Sequence, residues 1–185
     1  GSEMCIRDSN KAKGTTLVAV GNTFVFPMAG YSKKIKQVSE LKQGDTIAIP
    51  NDPTNLGRAL LLLQKEQLIT LKAGTGLLPT SADITRNPLQ LKIMEIEGAQ
   101  LPRVLDDAQV AVAIISTTYL QQTGLNPVRD NVFIEDKQSP YVNIIVARED
   151  NKDAQNVQDF VKSYESPEVA KAAEGIFNGG AVPGW

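Results

Sequence analysis

The chain has 185 residues, of which 42% are apolar and 22% charged, and its formal net charge is −2. These values are ordinary for a globular protein with a core, and the small negative charge gives no electrostatic case for nucleic acid, which usually binds a basic face. The chain has no histidine and one cysteine, Cys5, which excludes Ser-His-Asp and Cys-His nucleophilic sites, an internal disulfide and a thiolate metal cluster. We therefore expect no cofactor, no metal site and no nucleic acid partner.

Residues 1–13, GSEMCIRDSNKAK, show no apolar periodicity and lack the apolar stretch of a signal peptide. We expect this segment to be an unstructured, non-native start. Two extended segments are predicted next, at 16–20 and 24–31, with a break at Gly21. Pro27 cannot donate a ladder hydrogen bond, so the second segment is not expected in the centre of a sheet.

The next predicted elements alternate between strands and helices. A short strand at 46–49 is followed by a helix from Leu56 to about Glu66, which Asn55 or Thr54 can cap. The later predictions, in chain order, are a strand at 89–98, a short helix at 101–108, a strand at 110–116, a helical turn at 117–124, a strand at 141–147, and helices at 151–164 and 167–177. This alternation predicts an α/β fold with a mainly parallel sheet, and ligands of such folds bind where the strands end.

The end of the chain does not complete this pattern. The run VAVAIIS at 110–116 is typical of a strand buried on both faces. The last two predicted helices, however, carry apolar faces that only the sheet of residues 45–116 could cover. The sequence therefore indicates one complete α/β lobe with pieces of a second lobe whose own strands are missing.

Six stretches, in order along the chain, carry a resemblance to a known family. They are GYSKKIK (30–36), PNDPTNLGRALLLLQ (50–64), GLLPTSADI (76–84), LDDAQVAVA (105–113), SPYVNIIVAREDNKDAQNV (139–157) and FNGGAVPGW (177–185). Together they resemble the methionine-binding lipoproteins of bacterial methionine ABC importers, the NlpA-type solute-binding lipoproteins. The resemblance runs from about Gly14 to Trp185.

The resemblance implies a periplasmic binding protein-like (type II) fold, in which two α/β lobes joined by crossover strands close on an amino acid. On that pattern we expect residues 14–32 to end the first lobe and form the first crossover strand. Residues 33–140 would form the second α/β lobe, and 141–185 the return crossover strand and the C-terminal helices of the first lobe. Most of the family's N-terminal lobe is absent from this sequence, so we expect a fragment with impaired binding.

An arginine near the start of an apolar helix is the first candidate site residue. Arg58 follows the turn formers of NDPTN, and a cation is poorly placed near the positive end of a helix. One interpretation is a capped helix whose arginine bends into water. The other is an anion site, in which the guanidinium and the helix amides bind a carboxylate while Gly57 leaves the backbone uncovered. The resemblance implies that Arg58 binds the ligand carboxylate.

Four further residues are candidate ligand contacts. Asn143 lies inside the apolar run YVNIIV, where an unpartnered amide is costly to bury; it could equally face solvent on an edge strand. The resemblance implies that Asn143 contacts the ligand. Tyr141, two residues earlier, shares its side of the strand and could either line the cleft or pack in the core. Ser116 stands where the family commonly has asparagine. Asn55 is a candidate for helix capping first and for ligand contact second.

The resemblance implies a substrate-binding protein and not an enzyme. It would bind L- or D-methionine, or methionine-containing dipeptides, between the lobes and deliver the ligand to a membrane permease with its ATPase. Its place would be the cell envelope, as a lipid-anchored protein of the periplasm or the outer face of the cytoplasmic membrane. Exposed helix faces would favour self-association of this chain.

The alternative function is an enzyme on the same two-lobed fold that acts on a small amino acid-like substrate. Its acid–base groups would come from Asp106 and Asp107, an adjacent acidic pair of the sequence. Adjacent residues on a helix do not face each other, so a solvated helix end is the other interpretation of this pair.

Overall fold

The computed structural model describes residues 2–136 and 140–185, which form two compact units. Unit 1 consists of Gly1–Pro27 together with Asp136–Trp185, and unit 2 is the continuous segment Met28–Glu135. The boundaries therefore fall at 27/28 and 135/136, whereas the sequence places them at 32/33 and 140/141. The difference arises because the strand that begins at Met28 hydrogen-bonds within the sheet of unit 2 on both sides.

The helices and strands follow each other in a simple order along the chain. The helices are α1 (Ser2–Lys13), α2 (Pro53–Lys65), α3 (Thr117–Leu120), α4 (Gln155–Tyr164) and α5 (Pro167–Ile176). The strands are β1 (Leu17–Asn22), β2 (Phe24–Val25), β3 (Met28–Tyr31), β4 (Thr46–Pro50), β5 (Thr70–Leu71), β6 (Ile84–Arg86), β7 (Lys92–Ile96), β8 (Val110–Ser116), β9 (Asn131–Ile134), β10 (Ile144–Arg148) and β11 (Val182–Pro183). None of these helices is both long and apolar enough to cross a membrane.

Unit 2 contains a five-stranded sheet in the order β7-β4-β8-β3-β9. Strand β4 pairs in parallel with both β7 and β8, whereas β3 pairs antiparallel with β8 and with β9. Four strands therefore run in one direction and β3 runs against them, so the predicted parallel lobe has a mixed sheet. Strand β3 lies inside the sheet, so the expectation that the segment 24–31 avoids a central position is wrong for Met28–Tyr31. Pro27 does not prevent this, because it precedes the strand.

Alternation along the strands divides the core of unit 2 between the two faces of the sheet. On one face, Ile47 and Ile49 of β4 pack in a cluster with the α2 leucines Leu60 and Leu63. On the other face, Ala48 belongs to a second cluster, with Leu101, Leu105, Val110, Ala113, Ile115 and Leu120. The sheet is thus covered on both sides, as the apolar run of β8 predicts.

The shorter elements of unit 2 differ from the sequence predictions. The predicted helix at 101–108 is a 3-10 helix at Arg103–Asp106, and the predicted strand at 89–98 is limited to Lys92–Ile96. The antiparallel pair β5–β6 and strand β9 are elements that the sequence pattern did not indicate.

The described residues of unit 1 form two antiparallel strand pairs and the helices α1, α4 and α5. Strand β1 pairs with β10, and β2 pairs with β11. The aromatic rings of Phe24, Tyr164 and Trp185 lie against one another, with the centroids of Phe24 and Trp185 5.1 Å apart. The C-terminal tail is therefore fixed to the unit by β11 and by Trp185.

The first residues of unit 1 form a helix rather than an unstructured segment. Helix α1 covers Ser2–Lys13, and the Asn10 side chain accepts a hydrogen bond from the Leu17 amide and donates one to the Leu17 carbonyl, both at 2.8 Å. The prediction of no structure is wrong for these residues because this pairing to the start of β1 supports the helix end. The non-native origin of the segment stays a prediction, and Gly1 lies outside the described residues.

Candidate functional site

One edge of the five-stranded sheet collects the polar residues of unit 2 that could bind a ligand. Strands β4, β7, β8 and β9 all end at this edge, and β3 begins there, with Met28 paired to Ser116. Helix α2 starts directly after β4, which brings Arg58 to the same place. The carboxyl ends of parallel strands are where α/β folds bind ligands. We call Arg58, Ser116, Met28 and Glu135 the Arg58 edge.

Helix α2 begins earlier than the sequence predicts, at Pro53. Its N-cap is Asp52, whose carboxylate accepts a hydrogen bond from the Asn55 amide at 3.0 Å, while the Asn55 side chain donates to both oxygens of Asp52 at 3.1 Å. The predicted cap, Asn55 or Thr54, is therefore wrong, because both residues already belong to the helix. Arg58 is the sixth residue of the helix, and an anion site that combines its guanidinium with the first helix amides stays a prediction.

Arg58 is buried and forms a bidentate ion pair with Glu135. Arg58 is 8% exposed, and its Nε and Nη2 atoms donate to Oε1 and Oε2 of Glu135, each at 2.6 Å. The Glu135 side chain is 11% exposed. An arginine that bends into water, one of the two sequence interpretations, is therefore excluded, and Arg58 holds a carboxylate in the fork geometry that guanidinium groups favour.

Glu135 is also bonded to the backbone at the start of β3. The Met28 amide donates to Glu135 Oε2 at 2.9 Å, and the Glu135 amide donates to the Met28 carbonyl at 3.0 Å. One carboxylate thus accepts three hydrogen bonds, two from a guanidinium and one from the main chain. The sequence analysis missed Glu135, because the short strand β9 that precedes it has no strong local pattern.

Gly57 has a packing role rather than the open backbone that the sequence suggests. A Cβ atom at this position would lie 2.6 Å from the Leu77 carbonyl oxygen and 3.1 Å from Leu78 Cα and from Pro79 Cδ. The residue is buried. Glycine is therefore required because the segment after β5 crosses α2 closely, and the expectation of an uncovered backbone is wrong.

Ser116 and Asn55, the other candidates of unit 2, have polar partners of their own. Ser116 is the last residue of β8, and its hydroxyl lies 3.0 Å from the Thr118 hydroxyl. Asn55 is half-buried and its amide nitrogen is bonded to Asp52. The structure brings Ser116 to the Arg58 edge and leaves Asn55 in the first turn of α2.

Asn143 and Tyr141 belong to unit 1, just before β10 rather than inside a strand. The Asn143 amide donates to the Phe24 carbonyl at 3.2 Å, and its own carbonyl accepts from the Thr23 amide at 2.7 Å. The Asn143 side chain also approaches the Phe24 carbonyl, at 3.4 Å. Asn143 is exposed and Tyr141 is 8% exposed, so the cost of burying the amide does not arise here. Their contact with a ligand stays a prediction.

The acidic pair does not form an acid–base centre. Asp106 accepts a hydrogen bond from Lys33 Nζ, and Asp107 Oδ1 accepts one from the Gln109 amide at 2.8 Å. Both residues are exposed, which agrees with the interpretation as a solvated helix end. Within residues 2–136 and 140–185, no group of three or more Cys, Asp or Glu side chains lies close enough to hold a metal ion.

The fold and sequence have close relatives among known proteins. The crystal structure of the methionine binding protein MetQ superimposes with a TM-score of 0.88 at 61% identity, covering all of this chain and 75% of MetQ. Lipoprotein 28 of Escherichia coli K12 is 77% identical over 180 residues, and the D-methionine-binding lipoprotein MetQ of the same strain is 65% identical over 175 residues. These alignments cover 97% and 95% of this chain, but 66% and 65% of the two relatives.

The chain therefore has the α/β fold of the MetQ-like periplasmic substrate-binding proteins, as the sequence predicts. Residues 4–185 match the family described as NlpA lipoprotein. The chain belongs to the NlpA lipoprotein family, and the resemblance found in the sequence is confirmed. It spans just under two thirds of the length of the curated relatives.

Proposed function

We propose that this chain is a substrate-binding component of an ABC importer and that it binds methionine. Arg58 carries the proposal, because it is a buried guanidinium that already holds a carboxylate bidentately at the carboxyl edge of the sheet. A free amino acid offers the same group, and the relatives described above are named for methionine. Arg58 would bind the ligand carboxylate through its guanidinium, whose planar fork fits a carboxylate.

The other candidate residues have supporting roles in this proposal. Ser116, at the same edge of the sheet, would accept or donate one hydrogen bond to the ligand, and Asn143 would accept from the ligand ammonium group. Tyr141 would contact the ligand side chain, and Asn55 would act mainly on the start of α2. The proposed ligand class comprises L-methionine, D-methionine and methionine-containing dipeptides, all of which carry the carboxylate.

The partners follow from the same proposal. The ligand would be handed to a membrane permease driven by an ATPase, in the cell envelope where lipoproteins of this family lie. The relatives include a D-methionine-binding lipoprotein and a periplasmic substrate-binding protein of an ABC transporter, and the exposed Asp106 and Asp107 give no support to the enzyme alternative.

The test is isothermal titration of L- and D-methionine into the chain and into two variants. Arg58→Lys keeps the charge but loses the fork, and we expect it to weaken binding at least about tenfold, the factor set by one charge-assisted hydrogen bond. Arg58→Ala should abolish the heat. Arg148→Ala, an exposed arginine bonded to Asp150, is the matched control and should bind as the parent does. Saturable binding that Arg58→Lys leaves unchanged would overturn the role of Arg58. No binding by a parent chain that circular dichroism shows to be folded would overturn the proposal that this chain binds methionine.

A further inference from the structure

Glu135 belongs to the Arg58 edge and has no role in the ligand-binding proposal. We propose that Glu135 is a positioning residue, which holds the Arg58 guanidinium in one orientation and fixes that orientation to the backbone at the boundary of unit 2. The inference rests on the proposed function for its effect on ligand affinity. Its structural part, the control of Arg58 by Glu135, can be tested without a ligand.

The first step concerns charge. A guanidinium that is 8% exposed loses most of its hydration, and a buried charge without a partner is strongly destabilising. The Glu135 carboxylate, 11% exposed, supplies the opposite charge at 2.6 Å from two nitrogen atoms. Arg58 can therefore stay buried at this edge before any ligand arrives.

The second step concerns orientation. A single hydrogen bond would leave the planar guanidinium free to turn, whereas the two parallel bonds from Nε and Nη2 fix its plane and its direction. The pair thus determines the direction in which the rest of the guanidinium points.

The third step connects this orientation with the chain boundary. Met28 is the first residue of unit 2 and Glu135 is the last. They are joined by two hydrogen bonds, from the Glu135 amide to the Met28 carbonyl at 3.0 Å and from the Met28 amide to Glu135 Oε2 at 2.9 Å. The carboxylate that aligns Arg58 is therefore held by the two backbone segments through which the chain enters and leaves unit 2.

The consequence for binding is preorganisation. When the guanidinium is already aligned, its loss of side-chain freedom no longer lowers the affinity for the ligand carboxylate. The opposite role would make Glu135 a competitor that occupies the fork and must leave before the ligand binds. The two roles predict changes of opposite sign when the Glu135 charge is removed.

The experiment compares the parent with Glu135→Gln, which keeps the size of the side chain but removes its charge and one acceptor. Dissociation constants are measured for L-methionine and for L-methioninamide, which lacks the carboxylate. We expect the preference for methionine over methioninamide to fall about tenfold in Glu135→Gln, the factor of one charge-assisted hydrogen bond. Glu149→Gln, which removes the exposed pair with Lys152, is the matched control and should keep the preference. A merely structural role would weaken both ligands equally and leave the preference unchanged, and a competitor would raise it; either result overturns the proposal.

A second measurement uses no ligand and separates this inference from the proposed function. The Nε–H proton of Arg58 is followed by nitrogen-15 NMR in the parent and in Glu135→Gln. We expect slow exchange with water in the parent and at least about tenfold faster exchange in the variant, because the bond to Oε1 shields that proton. Equal exchange rates in the two proteins would refute the positioning role, whether or not the chain binds methionine. Absence of methionine binding with a shielded Arg58 would refute the proposed function and leave the positioning of Arg58 standing.

Discussion

The ion pairs of the chain differ widely in exposure, and this decides what each can contribute. The Lys33–Asp106 side chains are 52% and 73% exposed, whereas those of Arg58 and Glu135 are 9% and 11% exposed. Exposed pairs are worth about 0–1 kcal/mol, but removing one partner of a buried pair costs roughly 3–5 kcal/mol because the other charge stays buried. For this reason the variants proposed above at Arg58 and Glu135 include isosteric or charge-conserving changes.

Asp130 provides a prediction for acid conditions. Hydrogen bonds from the Arg129 guanidinium, at 2.7 and 2.8 Å, and from the Asn126 amide, at 2.7 Å, lower the pKa of Asp130 to about 2. The pKa of Asp130 in the folded state lies below the usual 3.8. The ionised carboxylate therefore stabilises the folded state fully above about pH 4, and this stabilisation is lost as the pH falls towards 2.

We therefore expect Asp130→Asn to be less stable than the parent at pH 7 and the difference to shrink between pH 4 and pH 2. Urea unfolding at pH 7, 5, 4 and 3 measures it. The control is Asp150→Asn, whose carboxylate accepts from Arg148 at an exposed position and should cost less at pH 7. A stability difference for Asp130→Asn that stays constant down to pH 3 would contradict the pKa assignment.

At the level of elements, the start of helix α2 depends on Asp52. The Asp52 carboxylate accepts from the Asn55 amide at 3.0 Å and completes a cap that Pro53 follows. We expect Asp52→Ala to lower the free energy of unfolding by about 1 kcal/mol, the usual value of a lost N-cap. Thr54→Ala is the matched control and should change stability by less than about 0.5 kcal/mol. Chemical denaturation measures the free energy of unfolding of both variants. A larger loss for Thr54→Ala than for Asp52→Ala would show that Thr54 is the cap, as the sequence predicts.

Two helix glycines give a prediction with opposite signs. A Cβ atom at Gly57 of α2 would lie 2.6 Å from the Leu77 carbonyl oxygen, whereas one at Gly175 of α5 would have no atom within 4 Å. We expect Gly57→Ala to destabilise the protein by about 1–3 kcal/mol through overpacking. Gly175→Ala should stabilise it by about 0.4–1 kcal/mol, because alanine restricts the unfolded chain. Thermal unfolding of both variants measures this, and a neutral Gly57→Ala would show that the crossing segment can move.

The elements that the sequence predicts well are those with a strong local pattern. Helix α2 and strands β4 and β8 follow from their leucine or β-branched runs, and the family follows from six stretches spread along the chain. Helix α2 nevertheless begins at Pro53 rather than Leu56, because the cap depends on which of several turn formers accepts the hydrogen bond.

The elements that the sequence does not predict depend on distant partners. Strand β9 is four residues long in a polar region, and its pairing with β3 is what makes it a strand. The Arg58–Glu135 pair joins residues 77 positions apart, which no local pattern contains. The resemblance did indicate Arg58, but the carboxylate that accompanies it in this structure became visible only through the fold.

At the level of the whole chain, exposed apolar side chains provide a test of association. Phe160 of α4 is 57% exposed and Ile176 of α5 is 65% exposed. Large exposed apolar residues favour contacts with other molecules, so self-association stays our prediction. We expect light scattering to show a mass that rises with concentration, and Phe160→Ser with Ile176→Ser to reduce that rise. Val128→Ser, at a 60% exposed position of unit 2, should leave the rise unchanged. A monomer at all concentrations would contradict the prediction.

Unit 2 is continuous along the chain, whereas unit 1 is assembled from two separate segments, and this has a consequence for biosynthesis. Strand β1 ends at Asn22, but its partner β10 begins at Ile144. At about 5–20 residues per second, a ribosome needs roughly 6 to 25 s to cover that interval. During this time unit 2 can form its core, but β1 lacks its partner β10. An unpaired strand edge can pair with strands of other chains. Strand β1 is therefore open to misassembly throughout this interval, and a chaperone that protects newly made chains would act on it until β10 is made.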